Sequence, residues 1–365
     1  MNRGLSVYLD LVRVGAAIVV LVTHLAYTEL SGGMLAPWRL LGNDAVMVFF
    51  VLSGYVIAHV AATREDTPRD YMLSRLARLW SVALPALAVT MVLDRTGAML
   101  SPLDYSVWWY QDAWPAVRVL TALSFTNELW FLSIRPFSNG PYWSLGYEFW
   151  YYVIFAAWIF LKGARRAWVV LALCLLVGPK ILLLFPIWLL GVWVYRRNQA
   201  GGVGLRVGAA LFFGSLALYA LFRWSGAPAM LLAETQGLLG KPVVDGMLRF
   251  SNEFAASYII GPLVAAHFVG AFALSRHLER WTAPAAPFIR WLAQSTFTIY
   301  LVHYPVLRFI GAVSPYDRTS PLAVALVFAT TLLACIGMAM VTERQKGPLR
   351  AWLDRGWPRP QPATP

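Results

Sequence analysis

Apolar runs alternate with short polar segments along this chain. They lie near 7–27, 41–61, 77–93, 143–161, 167–180, 181–195, 207–223, 254–274, 291–312 and 321–342. Runs of about twenty apolar residues read as membrane-spanning helices, because only a helix satisfies its own backbone inside a hydrocarbon layer. The pattern predicts an all-α fold, a polytopic membrane helix bundle of about ten transmembrane helices. Two runs, 167–180 and 181–195, are short, and Gly178-Pro179-Lys180 between them is a turn signal. That pair reads either as two spans or as one bent hairpin that does not cross fully.

Arginine and lysine sharpen this count. Arg64, Arg69, Arg75 and Arg78 follow the second run, and Lys162, Arg165 and Arg166 follow the fourth. Arg196, Arg197 and Arg206 follow the sixth, Arg276, Arg280 and Arg290 the eighth, and Arg344, Lys346, Arg350, Arg355 and Arg359 the tenth. Basic residues collect on the cytoplasmic side, so this spacing places both termini in the cytoplasm and the long connection 94–142 outside. The division expected is a transmembrane domain over 1–345 and a basic, Pro-rich cytoplasmic tail over 346–365, with 356–362 disordered. The connection 94–142 reads as a surface loop with partial helix. It carries Trp108, Trp109, Tyr110, Trp114, Trp130 and Phe131, which serve as interfacial anchors or as stacking platforms for sugars, besides Asp104, Asp112 and Glu128.

Composition agrees with a membrane protein. Hydrophobic residues make up 59% and charged residues 13% of the 365, and the mean hydropathy is +0.59. The formal charge of +12 sits in the clusters just named, as a topology signal rather than a nucleic-acid surface. Cys174 and Cys335 each lie within an apolar run, which excludes a disulfide framework and a thiolate metal site. The N-terminus lacks the pattern of a cleaved signal, so the first helix is expected to be retained.

Against that apolar background the buried polar residues stand out, since each costs several kcal/mol unless it faces protein or water. Helix one carries Arg13 and His24, eleven residues apart and on one face. Helix two opens Asn43-Asp44 and continues Phe49-Phe50-Val51-Leu52-Ser53-Gly54, so Asp44 and Ser53 are candidates for polar contact with a substrate. Arg75 and Arg78 stand one turn apart and predict a fork suited to phosphate. Helix four begins Trp143-Ser144-Leu145-Gly146-Tyr147-Glu148, and helix nine carries Tyr300-Leu301-Val302-His303-Tyr304-Pro305. His59 and His267 read as structural and His277 as a surface residue.

In their order and depth these motifs resemble the acyltransferase-3 family of integral-membrane acyltransferases, over residues 7 to about 342. The chain departs from the family at Asn43-Asp44-Ala45, where relatives often carry glycine before the Phe-Phe pair. The resemblance implies an enzyme of the bacterial inner membrane that uses cytoplasmic acyl coenzyme A, acetyl-CoA first among the donors. The acceptors it implies are hydroxyls of an exopolysaccharide, an O-antigen or a lipid-linked saccharide, with polysaccharide biosynthesis proteins and membrane lipids as partners and no metal. Some relatives carry a further hydrolase-like domain; this chain is expected to complete the transfer within its membrane domain or to pass the group to a separate protein.

On that reading Arg75, Arg78 and Arg13 hold the donor, and His24 acts either as general base, with Glu148 orienting it or stabilising the imidazolium, or as a covalent acyl relay. Asp44, Ser53, Trp143, Ser144, Tyr300 and His303 contact the acceptor. Buried Arg, His and Glu also mark the paths of transporters and flippases, whose inverted repeats are not found in this sequence. A structural subunit of an export complex would not need the buried histidines.

Overall fold

The computed structural model describes residues 3–107 and 109–357. Each of the ten apolar runs is a helix: α1 (Arg3–Leu25), α2 (Gly42–Thr63), α3 (Pro68–Leu100), α4 (Trp143–Phe160), α5 (Gly163–Val177), α6 (Pro179–Gln199), α7 (Leu205–Trp224), α8 (Phe254–Ala273), α9 (Thr296–Val313) and α10 (Pro321–Val341). Among the described residues, eight segments are long and apolar enough to cross a membrane. The two runs outside that set are α4 and α5. The first is crowded with Trp and Tyr, whose amphipathic rings lower its hydropathy, and α5 has only 15 residues. Gly178, at φ +81°, ends α5 and turns the chain into α6, so the short pair is two helices joined by the turn its sequence announced.

The tightest crossing joins α2 to α6. A Cβ on Gly54 would stand 2.0 Å from the carbonyl oxygen of Trp188, and one on Gly191 would stand 1.9 Å from that of Val51. Only glycine lets these two backbones meet. Helices α1, α3 and α9 close the other side of α2's core, with Val20, Phe50, Leu79 and Leu301 buried among them.

The connection after α3 is not a surface loop throughout. Its first half is exposed at Trp114 and Leu103, and Trp108 lies outside the described residues. Its second half dives into the bundle, where Asn127, Glu128, Ser138 and Asn139 are fully buried. A buried loop must find partners for its backbone, and aromatic residues supply them. Trp80 Nε1 donates to Leu123 O at 3.1 Å, Trp150 Nε1 to Phe125 O at 2.9 Å and Tyr142 OH to Ala122 O at 3.1 Å. Lys180 of α6 is buried and pairs with Glu128 at 2.5 Å, pinning the loop to the α5–α6 turn.

The expected tail is also partly structure. Residues Lys346–Gly356 form a further helix, α11, held to the start of α3 by Arg69, whose guanidinium donates to Asp354 Oδ1 at 2.7 Å and to the Asp354 carbonyl at 2.9 Å. The stretch 358–362 of the expected disordered segment lies outside the described residues.

Candidate active site

Two open spaces penetrate the bundle from opposite ends, and Val46 and Tyr300 line both. The cleft at the end where the basic connections gather is narrow, with a cavity volume of about 50 Å³, and Arg13, Arg78, Ser53, Glu148 and Tyr152 face it. The vestibule at the other end is wider, with a cavity volume of about 400 Å³, and presents His24, Arg39, Arg135, Trp143, Arg249 and Tyr304.

The histidines meet where the two spaces approach each other. His303 Nδ1 lies 2.8 Å from the carbonyl of Ile299, one turn back on its own helix, and its Nε2 lies 2.9 Å from His24 Nδ1. His24 Nδ1 also lies 3.0 Å from Val20 O. A carbonyl can only accept, so His303 carries its proton on Nδ1 and offers a lone pair at Nε2. His24 Nδ1 must then be the donor, shared between His303 and Val20. By elimination, Nε2 of neutral His24 holds a free lone pair, on a side chain that faces the vestibule. His303 is fully buried behind it. The ring of Tyr304 packs edge-on against His24 at 4.8 Å, and the buried Arg308 guanidinium lies 5.0 Å above Tyr304 and bonds Glu29 at 2.8 Å.

A proline within α9 supports this pair. Pro305 has no N–H, so the carbonyl of Leu301 loses its helical donor. Asn139 of the buried loop takes that place, with Nδ2 2.9 Å from Leu301 O and 3.2 Å from Thr90 Oγ1. Ser138 N donates to Asp94 Oδ2 at 2.9 Å, so the loop is tied to α3 as well.

The carboxylate of Glu148 does not orient His24. Its partners are Ser53 Oγ at 2.6 Å and the hydroxyl of Tyr152, and Trp188 Nε1 reaches the same Ser53 oxygen at 3.2 Å. The expected partnership fails because His303 already fills the only inward-facing valence of His24. Glu148 belongs instead to the cleft, where its field and that of Glu343 reach both Arg13 and Arg78.

The expected arginine fork is likewise divided. Arg75 is buried, ion-pairs with Glu65 and lies 4.1 Å above the ring of Tyr71, so it points away from the cleft. Residues three apart on a helix diverge by about 60°, enough to send two long side chains to different neighbours. Arg78 remains, and Arg13 of α1 is its companion in the cleft. Arg13 has Asp10 at 3.4 Å, whereas Arg78 forms no ion pair among the described residues.

Of the other expected contacts, Ser144 bonds Tyr300 OH at 2.8 Å between the two spaces, and Trp143 stacks on Phe250 at 4.8 Å on the vestibule wall. Asp44 does not join them. It faces the opposite side of α2 and bonds Tyr219 OH at 2.7 Å, with Arg223 at 3.4 Å.

The sequence model of the Acyl_transf_3 acyltransferase domain matches residues 6–340. The chain belongs to this acyltransferase family. Among similar proteins, the peptidoglycan O-acetyltransferase OatA of Listeria monocytogenes is 23% identical, over 89% of this chain and 53% of its own length. The acyltransferase MdmB of Streptomyces mycarofaciens is 25% identical, over 96% of this chain and 93% of its own. An O-acetyl transferase of Shigella phage Sf6 is 28% identical, over 49% of this chain and 56% of its own. The chain thus spans about half the length of the Listeria protein and nearly all of the Streptomyces one. No solved structure matches it significantly.

Several site residues of the acyltransferase escaped the sequence reading. Tyr152 stands four residues after Glu148, a spacing at which helical neighbours meet, so it was within reach. Arg39, Arg135 and Arg249 come from connecting segments, where periodicity carries no information about direction.

Proposed function

We propose that this acyltransferase moves an acyl group, acetyl in the first instance, from acyl coenzyme A bound at the basic, cytoplasmic end to a hydroxyl of a surface glycan or lipid-linked saccharide in the vestibule. The observation that carries this reading is the pair of open spaces that share Val46 and Tyr300, with Arg13, Arg78 and Glu148 in one and His24 facing the other. A phosphate-bearing donor suits Arg78, a half-buried cation without an ion pair among the described residues, together with Arg13. The depth suits a long arm: Arg13 and His24 are separated by about 16 Å of helical rise.

In this mechanism His24 Nε2 accepts the proton of the acceptor hydroxyl as its oxygen attacks the thioester carbonyl, and the imidazolium returns a proton to the departing thiolate as the C–S bond breaks. His303 stabilises the imidazolium by accepting from Nδ1, the task a carboxylate performs in other triads. The same tautomer also makes Nε2 a competent nucleophile, in which case Nε2 displaces the coenzyme A thiolate to form an acyl-imidazole, and the hydroxyl then attacks it, the C–N bond breaking and the hydroxyl proton passing by way of the imidazole to the thiolate. Tyr300, bonded to Ser144 at 2.8 Å, lines both spaces and stands between them.

Purified protein incubated with radiolabelled acetyl-CoA and then quenched separates the two routes, since only the relay leaves label on His24. Donor binding by calorimetry tests the reading beneath both. If the wild-type protein bound no acyl coenzyme A, the donor assignment would be wrong.

A further inference from the structure

Proton transfer through His24 leaves a second charge to be met. Both routes pass through a tetrahedral centre: as the hydroxyl oxygen or His24 Nε2 bonds to the acyl carbon, the carbonyl's electron pair moves onto its oxygen, and it returns as the C–S bond breaks. A negative oxygen among membrane helices needs a fixed hydrogen-bond donor about 3 Å away. His24 is occupied with the moving proton, and His303 turns a lone pair towards it rather than a proton.

Most other polar groups of the vestibule are committed or exposed. Tyr300 OH lies between Ser144 Oγ at 2.8 Å and Pro141 O at 3.3 Å, and Arg135 donates to Trp109 O at 3.0 Å. Arg39 and Arg249 are exposed, and a long solvated side chain is poorly preorganised for a developing charge. Tyr304 differs. It lines the vestibule, is buried, and is the nearest ring to His24, at 4.8 Å against 5.0 Å for His303 and 5.8 Å for Tyr27. Among the described residues its O–H has no carbonyl or carboxylate acceptor. The ring is held from behind. One turn further along α9, buried Arg308 bonds Glu29 at 2.8 Å and lies 5.0 Å above the rings of Tyr304 and Tyr27 and 4.7 Å above that of Trp109. The phenol oxygen is within electrostatic reach of that guanidinium, and a neighbouring cation strengthens the hydrogen bond that a phenol donates.

We propose that Tyr304 is a catalytic residue whose hydroxyl donates to the acyl carbonyl oxygen as the tetrahedral centre forms beside His24. The inference rests on the proposed function, with the reaction centre at the vestibule. The phenol serves the direct and the relay route alike, because both place the same charge on the same oxygen. Its proton stays on Tyr304 throughout, so the proton that moves is carried by His24 alone.

The test uses inverted membranes of cells that lack the chromosomal copy and make the full-length chain from a plasmid, supplied with radiolabelled acetyl-CoA. Label entering glycan per mole of protein gives the turnover, and a concentration series gives the donor KM. Tyr304→Phe keeps the ring and should lower kcat by about 10²–10³-fold with the acetyl-CoA KM little changed, as removal of one oxyanion donor does. Its pH profile should keep the wild-type shape, since His24 still carries the proton. Tyr304→3-fluorotyrosine, a stronger donor, should turn over at the wild-type rate or above. Tyr304→Leu removes ring and hydroxyl together and should be as slow as Tyr304→Phe or slower. Near-wild-type turnover by Tyr304→Phe beside an inactive Tyr304→Leu would make Tyr304 a packing residue and overturn the proposal. So would a fluorotyrosine chain as slow as Tyr304→Phe, or a changed pH profile in Tyr304→Phe, the mark of a proton carrier. A wild-type chain that labels no glycan would strike the proposed function itself, and this inference with it.

Discussion

His24 owes its candidacy to a second histidine 279 residues away in sequence. The pair fixes the free lone pair of His24 through two helical carbonyls, so both rings are needed, but only one lines the vestibule. His24→Ala should reduce transfer by about two to four orders of magnitude while donor binding stays near normal. His303→Ala should lower turnover with little change in the acceptor KM, because it unsettles the tautomer of His24 rather than a substrate contact. Parallel acyl-transfer and calorimetric measurements check both, and a His303 variant altered only in acceptor KM would return it to the substrate-contact role expected from sequence. The two arginines of α3 make a contrasting pair. Arg78→Ala, like Arg13→Ala, should weaken acyl coenzyme A binding by about 1–3 kcal/mol. Arg75→Ala should leave donor affinity alone and destabilise the fold by about 3–5 kcal/mol, because it abandons Glu65 in a buried site; thermal unfolding distinguishes the cases. That the sequence singled out Arg13, Arg78 and His24, which line the two spaces, without showing that Arg75 and Asp44 face elsewhere has a physical reason. Polarity in an apolar run reports that a residue needs a partner, and it does not report which side of the helix the partner occupies.

At the scale of elements, helices were legible because apolar runs and turn signals are local. Their crossings were not. Gly54 marked its motif without showing that it admits α6, and Pro305 marked its own without showing that the carbonyl it frees would receive Asn139. The long connection was misjudged because its exposed and buried halves share the same aromatic, polar composition, and burial there is arranged by contacts distant in sequence. Asn139→Ala should therefore cost about 1–3 kcal/mol, the penalty for a buried carbonyl left unpaired. It should also lower turnover more than donor binding, because the carbonyl that Asn139 binds belongs to Leu301, two residues from His303. Asn139→Asp offers no donor to Leu301 O and should not rescue. Unfolding midpoints and single-turnover rates together test this, and a variant with normal rate and normal stability would remove the loop from the support of the histidines.

For the whole molecule, the arginine census predicts sidedness. Reporter fusions at Arg64 and at Asp112 should give opposite signals, and equal signals would contradict a bundle in which donor and acceptor enter from opposite faces. The acyltransferase family and its helical membrane fold were legible from five short motifs, because their depth and order survive where overall identity is low. The acceptor was not, because the vestibule is lined largely by connecting segments that no local pattern describes. The central claim is that this protein forms an ester on a cell-surface or lipid-linked glycan through His24. Its most direct test is mass spectrometry of surface, secreted and lipid-extracted glycans from cells lacking the protein, complemented with either the wild-type chain or His24→Ala. The account predicts an acyl ester that appears with the wild-type chain and is absent with an equally abundant His24→Ala chain; restoration of the ester by that variant would contradict it.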